Sequence, residues 1–179
     1  MVSAPLGRLP LVLWHEIVHE RLRAHGVSVV AHVPDAVLTP LIRALEADEA
    51  VEVVPLTREE EGVGVLSGAY LGGRRGALLL QSSGLGNAVN ALGGLPLAYR
   101  IPFLVFVSPR GRLAEFNPSQ VPMGRAVPGV LDALGIEWLE MTRLDEVAAQ
   151  VDQAARTCFS TELPVALAIS TLLSGGKRV

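Results

Sequence analysis

Apolar runs of strand length alternate along this chain with longer segments in which apolar and polar positions recur at helical spacing. Val27–Val33, Val51–Leu56, Gly76–Gln81, Phe103–Ser108, Glu137–Leu139 and Val165–Ser170 are short and mostly apolar, as strands buried on both faces require. In Leu11–His25, Leu11, Trp14, Val18 and Leu22 share one helical face, Glu16, Glu20 and Arg23 lie away from it, and Gly26 ends the pattern. A second helix is expected from a cap at Asp35 to about Ala47. Further helices are expected over Arg58–Gly72, Asn87–Tyr99, Pro128–Leu134 and Leu144–Phe159. A helix-length crossover after each strand gives right-handed βαβ units. The expected fold is therefore a three-layer α/β/α domain with a mostly parallel, roughly six-stranded sheet. Ligands of such sheets collect at the carboxyl ends of the strands.

The chain shows no repeat, low-complexity tract or linker, so residues 1–179 read as one domain with a frayed tail at 174–179. Pro109–Val127 is expected to be irregular, and a loop of that length is usually functional or mobile. Aromatic residues make up only 4% of the chain, so the core must be aliphatic. A net charge of -3 and the lack of a basic run interleaved with aromatics argue against nucleic acid as a partner. The apolar stretch Leu9–Trp14 is too short for a signal-peptide core or a membrane span. With Cys158 as the single cysteine, the expectation is a cytoplasmic protein that does not enter a membrane.

Three places carry candidate chemistry at the expected ligand edge. Val33-Pro34-Asp35 ends the first strand, where Asp35 serves either as a helix cap or as a group facing a ligand. Arg58-Glu59-Glu60-Glu61-Gly62-Val63-Gly64 opens a helix in which the carboxylates complement the positive end of the dipole. Glycines inside a helix cost about 1 kcal/mol each relative to alanine. Gly64, Gly68 and Gly72 nevertheless fall at i, i+4 and i+8, leaving a stripe on which a backbone, a partner subunit or a ligand can press. Gln81-Ser82-Ser83-Gly84-Leu85-Gly86-Asn87 reads as a strand end, a tight turn and a helix N-terminus whose free N–H groups suit polar ligands. It is neither a G-x-x-x-x-G-K-[ST] loop nor G-x-G-x-x-G.

His15-Glu16-x-x-His19 matches the helical zinc motif, in which two imidazoles share a face and a carboxylate activates bound water. No third ligand has suitable spacing, and a solvated helix face accounts for these residues. No metal ligand is expected, and a zinc hydrolase stands as an alternative.

The ordered set of motifs resembles the pyrimidine-binding domain of thiamine-diphosphate-dependent 2-oxo acid decarboxylases. The matching features are a Val-Pro-Asp turn at Val33–Asp35, a helix-opening glutamate nine residues before Gly68, and a Ser-Gly-x-Gly turn at Ser83–Gly86. Arg58–Gly64, Ser83–Asn87 and Ser108–Gly111 are most similar to the sulfopyruvate and phosphonopyruvate decarboxylase branch. The resemblance implies that Glu59, with Glu60 as runner-up, hydrogen-bonds the aminopyrimidine ring of thiamine diphosphate and activates it. Adjacent helical residues point about 100° apart, so only one enters a given pocket. It further implies that Pro34, Ser83, Gly84, Leu85, Gly86 and Asn87 bind the cofactor and that Asp35 and Arg110 face the substrate. Arg112 and Arg125 are further candidates for its second anionic group. Where many relatives carry His before the glutamate, this chain has Arg58.

The family holds the diphosphate and Mg²⁺ through Gly-Asp-Gly on a second domain, and no Gly-Asp-Gly occurs here. A β subunit carrying that domain, in a hetero-oligomer with α–α or α–β contacts, is therefore implied. The alternative within the same fold is a non-catalytic binding or assembly module.

Overall fold

Six strands form one sheet in the order β2-β1-β3-β4-β6-β5, with every neighbouring pair parallel. They are β1 (Val27–His32), β2 (Glu52–Pro55), β3 (Arg75–Gln81), β4 (Leu104–Ser108), β5 (Glu137–Met141) and β6 (Val165–Ile169). The computed structural model describes residues 13–111, 115 and 117–176. Arg112, Leu11 and the last three residues of the expected tail lie outside the described residues.

The central strands β1, β3, β4 and β6 are buried on both faces, which is why they read as apolar runs, whereas the edge strands β2 and β5 are partly exposed. In β3, Ala77 and Leu79 point into one core while Leu78 and Leu80 point into the other. In β4, Leu104 and Phe106 alternate in the same way with Val105 and Val107. One face is covered by α1 (Trp14–Ala24), α2 (Thr39–Glu46) and α6 (Val147–Thr161). The other is covered by α3 (Glu59–Leu71), α4 (Ser82–Leu92) and α5 (Val121–Leu134). A single turn, α7 (Thr171–Ser174), follows β6. This is the expected three-layer α/β/α arrangement. None of the described helices is long and apolar enough to cross a membrane.

Three boundaries differ from expectation. Helix α4 begins at Ser82, five residues before Asn87, so Ser83–Gly86 belongs to its first turns and is not a separate loop. The helix then continues through a π turn, Gly93–Leu97, that accommodates Pro96. The expected irregular stretch is shorter, because α5 already starts at Val121, with Pro122 in its first turn and Pro128 inside it. Arg125 therefore sits exposed on a helix. The expected cap of α2 is a turn over Ala36–Leu38, and the helix proper opens at Thr39.

β1 lies between β2 and β3, and the connection from β1 crosses one face through α2 while that from β2 crosses the other through α3. The order reverses there, opening a crevice beyond the carboxyl ends of β1 and β3. Asp35 and the head of α4 border it.

Candidate active site

The three carboxylates that open α3 diverge. Glu61 turns back to accept hydrogen bonds from the backbone N–H groups of Thr57 (3.0 Å) and Arg58 (3.3 Å). Glu60 pairs with the Arg58 guanidinium at 2.7 Å. Glu59 turns inward and, as a residue, is 6% exposed. Its face of α3 is pressed to the sheet one turn later at Gly62, where a Cβ would come within 2.5 Å of Leu78 and 2.7 Å of Leu56. Gly62, Val63 and Leu66 continue that buried face.

The Glu59 carboxylate lies on Gly84 of α4, where any Cβ would collide with it. Asn87, one turn further on, donates from Nδ2 to Glu59 Oε2 at 3.1 Å. The carboxylate thus sits at the N-terminal ends of both α3 and α4, whose dipoles favour negative charge. Ser82 Oγ, at the head of α4, is fully buried and has no hydrogen-bond partner among the described residues. A buried hydroxyl left unpaired at a strand's carboxyl end suits a ligand-binding crevice, and it was not singled out from sequence. Leu85 packs its side chain into the core. Ser83 and Gly86 are half-buried, Pro34 is exposed, and Gly86 faces the tip of Met123, which a Cβ would meet at 2.7 Å.

A second polar group lies along the same edge. Asp35 Oδ1 accepts from the backbone N–H groups of Val37 (3.0 Å) and Leu38 (3.2 Å) and from Ser108 Oγ (3.0 Å). Its Oδ2 lies 3.9 Å from Arg110 Nη1. Arg110 is gripped by Glu115, from Nε to Oε2 at 2.7 Å and from Nη2 to Oε1 at 3.0 Å. Glu115 also accepts from the backbone N–H groups of Gly111 (3.2 Å) and Asn117 (3.0 Å). The Arg110 guanidinium beside it, aided by these N–H groups, draws the Glu115 carboxyl down to about 2. The Arg110 carbonyl lies directly on the bare Cα of Gly124 in α5. Sequence reading placed Arg110 here, but it missed Glu115, which lies in a segment that reads only as polar loop. The structure therefore divides the predicted residues into two neighbouring clusters: Glu59, Gly84 and Asn87 in one, Asp35 and Arg110 in the other.

His15-Glu16-x-x-His19 is dispersed. Glu16 accepts from Leu13 N at 2.9 Å, and His19 Nε2 meets Asp48 Oδ2 at 2.7 Å. Among the described residues no three His, Cys, Asp or Glu side chains converge as a metal site.

Comparison with known proteins places the chain in a family. Residues 14–115 match the family described as thiamine pyrophosphate enzyme, N-terminal TPP binding domain. The chain belongs to that family. The sulfopyruvate decarboxylase subunit alpha of Methanococcus maripaludis is 40% identical over 157 residues, covering 88% of this chain and 94% of the relative. The phosphonopyruvate decarboxylase of Streptomyces viridochromogenes is 42% identical over 114 residues, 63% of this chain but 29% of that protein. The fold is shared with a thiamine diphosphate-dependent 4-hydroxybenzoylformate decarboxylase of Rhodococcus jostii RHA1, at TM-score 0.70 and 20% identity, over 88% of this chain and 30% of that one.

Proposed function

We propose that this chain is the pyrimidine-binding α subunit of a thiamine-diphosphate-dependent decarboxylase acting on a 2-oxo acid such as sulfopyruvate or phosphonopyruvate. The observation that carries the reading is Glu59, a buried carboxylate held over Gly84 by a single hydrogen bond from Asn87 among the described residues. Oε2 is steadied by Asn87, and Oε1 holds and returns the proton exchanged with the aminopyrimidine. Asn87 and the bare surface of Gly84 fix where that proton is delivered.

The head of α4, with Ser83, Gly84, Gly86, Asn87 and the backbone of Leu85, forms one side of the cofactor site, and Pro34 closes it beside β1. The orphaned Ser82 hydroxyl fits such a role. When bound, thiamine diphosphate supplies the thiazolium that accepts the electron pair left behind by carbon dioxide. Asp35 and Arg110 face the 2-oxo acid, with Arg110 Nη1 toward its second anionic group.

The diphosphate and Mg²⁺ belong to a β subunit, since this chain has no Gly-Asp-Gly. The designation of the Methanococcus relative as a subunit alpha supports a partner. Gly64 and Gly68 leave open space on α3, where an α–α or α–β contact can pack closely in a hetero-oligomer. A cytoplasmic setting belongs to the same reading and suits the buried free thiol of Cys158.

The test is co-expression with a β chain carrying Gly-Asp-Gly, followed by an assay of carbon dioxide release from sulfopyruvate, phosphonopyruvate and pyruvate with thiamine diphosphate and Mg²⁺. Release from one of the first two, well above that from pyruvate, is expected. An intact, cofactor-loaded complex that decarboxylates none of the three contradicts the proposal.

A further inference from the structure

Arg110 is fixed at both ends. Its carbonyl lies on Gly124, where no side chain intervenes, and Glu115 takes two of its three guanidinium nitrogens. The third, Nη1, makes no hydrogen bond among the described residues and stands 3.9 Å from Asp35 Oδ2. Both carboxylates are hidden, with Asp35 4% and Glu115 6% exposed at the side chain, and Arg110 is 12% exposed. Nη1 is therefore the nitrogen left to meet an incoming anion. The charge it presents is already compensated, because Asp35, Arg110 and Glu115 together carry a formal charge of -1.

We propose that Glu115 is a specificity-determining residue that makes this site select a singly charged sulfonate over a doubly charged phosphonate. The inference rests on the proposed function, since it concerns the second anionic group of the 2-oxo acid. Glu115 acts through Arg110 in two ways. It aims Nη1 along the sheet edge, and it adds one negative charge that a bound dianion feels twice as strongly as a monoanion. At a separation of several ångströms in partly hydrated surroundings, one such added charge pair alters affinity about tenfold. The cluster is a positioning device with a charge preference, and Nη1 is the group that touches substrate.

The test uses the complex of this chain with its β partner at about pH 8, where a phosphonate is mainly a dianion. Relative kcat/KM is read for sulfopyruvate and phosphonopyruvate, and calorimetry compares the unreactive anions sulfoacetate and phosphonoacetate. The unaltered complex is expected to favour the sulfonate of each pair. Glu115→Gln should reduce that preference about tenfold, whatever it does to the common rate, and Glu115→Asp should retain it. On the unaltered complex, lowering the pH to about 6, which protonates the phosphonate, should narrow the gap without any substitution. A preference for phosphonate in the unaltered complex, or an unchanged ratio in Glu115→Gln, overturns the inference. If both acids are decarboxylated and the ratio does not move, the inference fails and the proposed function stands. If neither is decarboxylated but the binding preference shifts as described, the proposed function fails and the charge selection stands.

Discussion

Glu59 and Glu115 both keep their carboxylates largely out of solvent, the Glu59 residue 6% and the Glu115 side chain 6% exposed, and they are held in opposite ways. Glu115 receives two hydrogen bonds from Arg110 and two from backbone N–H groups, and its carboxyl is drawn down to about 2. Glu59 receives one among the described residues, from Asn87, and its other oxygen rests over a glycine. A buried carboxylate that is fully satisfied behaves as a structural anion, whereas one with a spare oxygen at a crevice can still exchange a proton. The contrast separates the two clusters at the carboxyl edge: in one a carboxylate keeps a spare oxygen, in the other it is committed to orienting a guanidinium.

The sharpest way to break this contrast is to remove the carboxylate proposed to exchange the proton. Glu59→Gln keeps the shape and the Asn87 neighbour, so circular dichroism and thermal unfolding should change little, while carbon dioxide release from the partnered complex falls about 10²- to 10⁴-fold. Full activity would remove Glu59 from the chemistry. Gly84→Ala probes placement alone. Its methyl would occupy the space of the Glu59 carboxylate, and a displacement near 1 Å should cost about 10²-fold in kcat with far less effect on stability. An unaffected Gly84→Ala complex would show that the seat on α4 is not needed.

Glu115→Gln should act mainly on the acid limb of stability. The folded carboxyl titrates at about 2 instead of its ordinary 4.5, so between these values the unfolded chain binds more protons. The stability it contributes is present above about 4.5 and is lost as the pH falls toward 2. Denaturant titrations across that window should show a shallower pH slope in the variant. Asp48, drawn to about 2 chiefly by His19 and also by Arg23, supplies a slope that remains.

Much of this was legible from the chain. The central strands, buried on both faces, announce themselves as apolar runs, and the partly exposed edge strands β2 and β5 were found as well. The resemblance singled out Glu59, nine residues before Gly68, with Glu60 as runner-up, and Glu59 is the one of the three carboxylate residues that is buried. What was not legible depends on local rules that conflict. Ser82-Ser83-Gly84 has turn composition, yet it forms the first turn of α4 because N-terminal N–H groups need no helical partner there. Pro122 and Pro128 made Val121–Val127 read as loop, although proline fits a first turn and the apolar face of Val127 and Leu131 secures the rest. Glu115 was invisible because its role depends on where the loop carries Arg110 relative to Gly124, a contact between distant positions. The zinc motif was set aside for want of a third ligand, and in the fold Asp48 from another segment pairs with His19.

The most direct test of the claim that this chain holds half a site is calorimetric titration of thiamine diphosphate with Mg²⁺, first into the isolated chain and then into its complex with the β partner. Negligible heat from the isolated chain and saturable binding by the complex are predicted. Tight one-to-one binding by the isolated chain would contradict the account.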